Sequence, residues 1–171
     1  MAETTTGPTK GTLLLQGGGL PNLEFQNLFK TLAGGRDARL VMIPTALEDE
    51  KLGHLVSPIT NGLLFGFPAA ILHTRSGAVA DSDAFVERIQ DATGVFIEGG
   101  RQPRLAKAYL NTKTHQELKR LLARGGVIAG GSAGATIQGS FIVRNQGPPN
   151  YDREVMVDPR FTTEGFAFIK N

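Results

Sequence analysis

A chain of 171 residues with 40% hydrophobic and 20% charged residues is long and apolar enough for one globular domain with its own core, which argues against intrinsic disorder. A net charge of +2, with lysine and arginine spread along the chain, argues against a nucleic-acid partner or a polybasic membrane surface. The absence of cysteine excludes disulfides, thiolate zinc sites and a cysteine nucleophile, and no apolar run reaches membrane-spanning length.

Residues 1–11 are rich in threonine, glycine and proline and lack the apolar stretch of a signal peptide. They read as a flexible tail, and residues 12–171 are expected to form a single α/β domain. From there short apolar runs alternate with longer amphipathic segments, the rhythm of parallel strands joined by crossover helices. Strands are predicted at residues 12–16, 39–43, 69–73, 94–97 and 126–129. A first helix places apolar Leu23, Leu28, Phe29 and Leu32 ahead of a stop at Gly34 and Gly35. Another opens on Asp81 and Asp83, whose charges suit a helix N-terminus, and stops at Gly94. Between Arg101 and Arg124 the pattern breaks at residues 111–114, predicting two consecutive helices, the second opened by a capping box of Thr114 and Glu117. Beyond Ala135, short strand-like runs alternate with turn residues. The expected fold class is α/β, a doubly wound, mostly parallel sheet with helices on both faces.

Open parallel sheets gather functional residues at the carboxyl ends of their strands. Here the predicted strand ends are polar or glycine-rich at residues 16–22, 43–50, 98–104 and 130–135. Gly130, Gly131, Ser132, Ala133 and Gly134 satisfy G-x-S-x-G between a buried strand and a predicted helix, the context in which the pattern marks a nucleophile elbow. An elbow holds its serine on a strained turn, so its neighbours must be small. The Ala133 N–H, at the helix start, would then face the oxyanion of a tetrahedral intermediate. The same glycines also suit a tight strand-to-helix turn that only packs or binds phosphate. Gly99 and Gly100 follow a strand and offer further N–H groups, Gln102 is placed to orient a substrate, and Pro103 suits a first helical turn; an ordinary tight connection fits these residues as well. Gly17 to Gly19 lack the third glycine of G-x-G-x-x-G, so a dinucleotide role has little support.

The order of motifs is more specific than any one of them. GGRQPRL (residues 99–105) followed by GVIAGGSAGA (126–135), behind an opening strand, a glycine turn and VMIPTALEDE (41–50), resembles peptidase family S51, the cyanophycinase and dipeptidase E group. The resemblance runs from about residue 12 to residue 171. It implies a fold similar to class I glutamine amidotransferases, with a flavodoxin-like sheet and serine in place of cysteine. It implies hydrolysis of a peptide bond next to an aspartyl residue, with cyanophycin or a β-aspartyl dipeptide as substrate. Carried over by motif, Ser132 is the nucleophile, Gly100 and Ala133 are the oxyanion donors and Gln102 is a substrate contact. No metal or organic cofactor is implied. An arginine-bearing substrate suits carboxylates at the sheet edge, where Glu48, Asp49, Glu50 and Glu98 fall, although strand-end acids also serve to solubilise loops.

A serine hydroxyl needs a base to take its proton and an acid to orient that base. The family supplies the histidine from a segment soon after one similar to residues 165–171. Here His54, His73 and His115 all precede Ser132. His54 and His115 read as helix-surface residues and His73 as a solvated strand-end side chain. Lys107 and Lys119 read as solvent-facing, which leaves a Ser-Lys dyad unsupported. Asp152 and Glu154 stand roughly where the family's acid falls, in what reads equally as a polar loop after Pro148 and Pro149. Three explanations stay open: a fragment, a two-chain enzyme whose second chain carries the histidine, or a non-catalytic protein that binds a ligand in the same crevice. A homodimer is the expected assembly, by resemblance to the family.

Overall fold

The computed structural model describes residues 6–49, 51–52, 62, 66–142, 144–146, 154–156 and 164–170. Strands β1 (Thr12–Gln16), β2 (Leu40–Ile43), β3 (Ala70–Ile71), β4 (Gly94–Ile97) and β5 (Val127–Gly131) form a parallel sheet in the order β1-β5-β4-β2-β3. Alternation along each strand feeds two cores. Val41, Ile43, Val95, Ile97 and Ile128 face one core, while Leu40, Met42, Phe96, Val127 and Ala129 face the other.

Helix α1 (Leu23–Leu32) covers the second core with Phe25, Phe29 and the following Ala33. Asn22 caps it by accepting the Phe25 N–H at 2.8 Å, and the chain leaves it through Gly34 at φ +112°. The first core is covered by α2 (Gly77–Ala80), α3 (Asp83–Gln90), α4 (Gln102–Tyr109), α5 (Lys113–Ala123) and α6 (Ala133–Thr136), through Ala80, Ile89, Leu105, Tyr109, Leu118 and Ala133. The sheet is therefore sandwiched between helices, as the strand-helix rhythm predicts. Strands β6 (Arg144–Gln146) and β7 (Glu154–Met156) form a separate antiparallel pair.

Several boundaries differ from the sequence-based expectations for physical reasons. Helix α3 ends at Gln90, and Gly94 opens β4 instead of stopping the helix. A Cβ there would lie 2.8 Å from Leu40 Cδ2 and 2.9 Å from Ala33 Cβ, so the glycine lets α1 settle on the sheet. Strand β3 pairs with β2 only at Ala70 and Ile71, shorter than the expected run over residues 69–73. Strand β5 continues to Gly131, because Gly130 and Gly131 pair with Leu15 and Gln16 before the chain turns. Helix α5 is capped by Thr112, whose Oγ1 accepts the His115 N–H at 3.4 Å. Thr114 and Glu117 form no capping box. The Thr114 hydroxyl donates to the Ala80 carbonyl at 2.6 Å, and the buried Glu117 carboxylate accepts from Arg120 at 3.1 Å and Arg124 at 2.8 Å.

Candidate active site

Ser132 stands at the carboxyl end of β5, exposed between the buried Gly131 and Ala133. Its backbone has φ 50° and ψ −113°, a conformation that non-glycine residues avoid. The surroundings hold it there. Its N–H donates to the Gln16 carbonyl at 2.8 Å, tying the turn to β1, and its carbonyl accepts the Ala135 and Thr136 N–H groups at 3.0 Å, starting α6.

The two flanking glycines are required by space. A Cβ on Gly130 would overlap the Gly134 carbonyl and lie 2.7 Å from Gln138 Nε2. One on Gly134 would lie 2.6 Å from the Ile97 carbonyl carbon and 3.0 Å from the Glu98 oxygen. Helix α6 thus packs directly on the end of β4, which brings the second glycine pair to the serine. A Cβ on Gly99 would lie 3.2 Å from the Ser132 Cβ. The Gly99 N–H donates to Glu98 Oε1 at 3.0 Å. Gly100 adopts φ +137° with its Cα against the loop after β2, where a Cβ would sit 2.5 Å from the Ala46 carbonyl carbon. The N–H of Ala133 belongs to the first turn of α6, where backbone donors have no intrahelical acceptor.

Gln102, at the start of α4, is 7% exposed and donates from Nε2 to Thr136 Oγ1 at 2.6 Å. The Thr136 hydroxyl in turn donates to the Ser132 and Ala133 carbonyls at 3.3 Å. That use of the hydroxyl proton leaves Oγ1 an acceptor for Gln102 and fixes which end of the carboxamide faces it. Gln102 Oε1 is buried without a partner. Gln102, Ser132, Ala135 and Thr136 line one cavity of about 470 Å³ with Leu15, Gln16 and Gly17 from the end of β1. Sequence reasoning passed over Gln16 and Thr136. The only signal for Thr136 is its i+4 spacing from Ser132, and Gln16 is visible only through the β1–β5 pairing.

Two of the carboxylates at the sheet edge are engaged by the chain itself. Asp49 pairs with Arg75 at 2.6 Å and Glu48 with Arg101 at 3.6 Å, so both are already engaged by the chain's own guanidinium groups. Glu50 lies outside the described residues. Burial pushes the Glu98 carboxyl above the ordinary glutamate range, opposed by its bond from the Gly99 N–H. Among the described residues no group of three or more His, Asp or Glu side chains is placed to hold a metal ion, and no helix is long and apolar enough to cross a membrane.

The arrangement joins an exposed serine on a strained strand-to-helix turn to a glycine pair at the next strand end. The profile of peptidase family S51 matches residues 13–168. The chain belongs to peptidase family S51. It is 29% identical over 154 residues to the cyanophycinases of Synechococcus elongatus and Thermosynechococcus vestitus, covering 87% of this chain and 48% of each relative. A solved structure of a peptidase from an acI-B1 Actinobacterium superposes with a TM-score of 0.71 at 27% identity, over 95% of this chain and 66% of that one. The chain spans about half the length of the curated relatives it matches.

Against this S51 frame, neither described histidine serves Ser132. His73 follows β3, three strands from β5, which at the usual strand spacing is roughly 14 Å away. Its Nδ1 shares a hydrogen bond of 2.9 Å with Thr45 Oγ1, which is in turn 2.6 Å from the buried Tyr109 hydroxyl. His115 corrects the expectation of a helix-surface residue. It is 4% exposed, its Nδ1 accepts the Asn111 N–H at 3.2 Å and its Nε2 donates to the Phe166 carbonyl at 2.8 Å. Both nitrogens are committed, Nδ1 to the connection before α5 and Nε2 to holding the 164–170 segment against that helix. Lys107 and Lys119 are exposed, as expected. His54 and Asp152 lie outside the described residues, and Glu154 begins the backbone of β7.

Proposed function

We propose that this chain carries the nucleophile of a serine peptidase that hydrolyses β-aspartyl or Asp-containing peptides, cyanophycin among the candidate substrates. The observation that carries the reading is Ser132 itself, an exposed hydroxyl at φ 50° on a turn whose flanking glycines admit no side chain. In the proposed reaction the Ser132 Oγ attacks the carbonyl next to the aspartyl residue while a base takes its proton. The Gly100 and Ala133 N–H groups receive the developing oxyanion. The engagement of the Gly99 N–H by Glu98 supports Gly100 as the donor from that pair. Gln102, locked by Thr136, offers its unpartnered Oε1 to a substrate N–H. The base is a histidine from outside these 171 residues, in a longer form of the polypeptide or in a second chain, oriented by Asp152 or Glu154. It returns the proton to the leaving amine, and water then releases the acyl group by the same route. The substrate preference rests on the similarity to cyanophycinases. A homodimer of the assembled enzyme is part of the same proposal.

The test is hydrolysis of a β-aspartyl-arginine dipeptide and of cyanophycin by the native-length gene product and its Ser132→Ala variant, with folding checked by circular dichroism. Loss of turnover in a folded variant is expected, by about 10⁴-fold or more. Undiminished turnover in Ser132→Ala overturns the assignment. Saturable binding without turnover in the wild-type protein replaces it with a ligand-binding domain of the same fold.

A further inference from the structure

The loop after β2 receives more cationic donors than its length requires. Its Leu47 carbonyl accepts Arg104 Nη1 at 2.5 Å and Arg75 Nη2 at 2.8 Å, and its Ala46 carbonyl accepts Arg104 Nη1 at 3.3 Å and the Arg101 N–H at 2.9 Å. The two side chains arrive from different elements, Arg75 from the segment after β3 and Arg104 from α4. Three guanidinium groups are thereby crowded together, and burial with the charges of Arg75 and Arg101 depresses the Arg104 pKa, against Glu48 and Asp49. A loop that only had to pack would not need this concentration of like charge.

What the loop touches gives the reason. The Ala46 carbonyl lies against the Cα of Gly100, in the space a side chain would fill, and also accepts the next N–H along that strand end. It therefore holds the Gly100–Arg101 peptide and packs against the Gly100 Cα, which fixes the turn at φ +137°. Gly99 in turn abuts the Ser132 Cβ. A continuous set of contacts runs from Arg104 Nη1 through two carbonyls to the backbone beside the serine.

We propose that Arg104, assisted by Arg75, is a positioning residue that clamps the Ala46 and Leu47 carbonyls and so aims the Gly100 N–H at the reacting carbonyl. The proposal rests on the serine-peptidase reading above. It predicts an effect confined to the transition state, since an aimed donor matters most when charge develops on oxygen. A lysine at position 104 can bring an ammonium to the same carbonyls but lacks the planar guanidinium that fixes the direction of the Nη1 N–H groups.

The experiment compares wild type, Arg104→Met and Arg104→Lys by amide NMR and hydrogen exchange, alongside hydrolysis of a β-aspartyl dipeptide and inhibition by a peptidyl boronic acid. In Arg104→Met the Gly100 amide is expected to change its resonance and the Arg101 amide, which donates to the Ala46 carbonyl at 2.9 Å, to exchange about tenfold faster, with Ala133 and β1 unchanged. Turnover falls about 10- to 100-fold with KM within about threefold, boronate affinity falls in parallel, and Arg104→Lys recovers part of each. An unmoved Gly100 amide overturns the clamp. So does a change shared equally by Gly100, Ala133 and β1, which marks general loosening. If Arg104→Met does not fold, the Arg104→Lys amide spectrum decides by the same criteria. Wild-type protein that shows a moved Gly100 amide on mutation, yet no hydrolysis that depends on Ser132, keeps the clamp and removes the reading beneath it.

Discussion

Gly134 stands against Ile97 so closely that a methyl group on its Cα would overlap the Ile97 carbonyl and approach the Glu98 oxygen to 3.0 Å. This contact seats α6 on the end of β4 and brings the Ser132 turn beside Gly99. Backbone sets the limit, so no rotamer change relieves the clash. Gly134→Ala is expected to destabilise the fold by about 3 kcal/mol or more. Gly131 is the control, since a Cβ there meets nothing nearer than Phe96 Cζ at 4.0 Å and its φ is ordinary. Gly131→Ala is expected to stay within about 1 kcal/mol of wild type. Equal denaturant midpoints for the two variants would show that α6 is not seated through Gly134.

The strain at Ser132 gives a second prediction. A non-glycine residue at φ 50° and ψ −113° costs about 1–3 kcal/mol. Glycine relieves that cost and gives back a smaller amount through its extra freedom in the unfolded chain. Ser132→Gly is therefore expected to be more stable than Ser132→Ala by about 1 kcal/mol, while both lose hydrolysis. Urea unfolding of the two variants measures the difference, and an alanine variant at least as stable as the glycine variant contradicts the strain.

Glu98 makes stability and pH testable at the site. Burial raises its carboxyl pKa above the ordinary 4.5, outweighing the Gly99 N–H that favours the charged form. The folded chain keeps this proton at pH values where the unfolded chain has released it. The stability contributed by the neutral carboxyl is full below about pH 4.5 and is lost as pH rises through the folded value. Glu98→Gln retains an acceptor for the Gly99 N–H and carries no charge. It is expected to melt above wild type at about pH 8, with the gap closing below about pH 4.5. A gap of constant size across that range would locate its cause outside the titration.

Much of the frame is legible in the residues themselves. The run Val95, Phe96 and Ile97 between glycine and glutamate is an apolar strand with polar ends, and β4 has the expected limits. The small residues around Ser132 announce a tight strand-to-helix turn before any coordinates. What escapes sequence is pairing across distance. Thr112 and Thr114 both precede an amphipathic run, and only the Ala80 carbonyl opposite Thr114 explains why Thr112 is the cap. Gly99 and Gly100 look alike until the Glu98 side chain turns back to occupy one of the two N–H groups. The ion pairs of Glu48 and Asp49 escape sequence because the arginines that engage them stand 53 and 26 positions further along, 101 − 48 and 75 − 49. Burial of His115 depends on Phe166, 51 residues away, so helical periodicity alone places it wrongly.

That burial leads to the last prediction. Desolvation lowers the His115 pKa below the ordinary 6.5, with Lys119 adding to the effect and the Phe166 carbonyl opposing it. The geometry agrees, since Nδ1 accepts the Asn111 N–H and cannot do so once protonated. The unfolded chain therefore binds this proton more readily than the folded one. The stability that neutral His115 contributes is full above about pH 6.5 and falls as pH drops toward the folded value. His115→Phe keeps an aromatic ring among Phe166 and Phe168, whose centroids lie 5.0 and 5.9 Å from the imidazole, but loses both hydrogen bonds. It is expected to cost about 1–3 kcal/mol at about pH 7.5 and progressively less as pH falls below about 6.5, where protonation takes the Asn111 bond from wild type and places a charge in the core. The exchange protection of the Phe168 and Ile169 amides, which donate to the Gln138 carbonyl at 2.8 and 3.1 Å, reports the event locally. Those amides are expected to lose protection in wild type as pH falls below about 6.5 toward the folded value and to be insensitive to pH in the variant, after correction for intrinsic exchange. Matching pH profiles in the two proteins would assign the acid sensitivity of the 164–170 segment to another group.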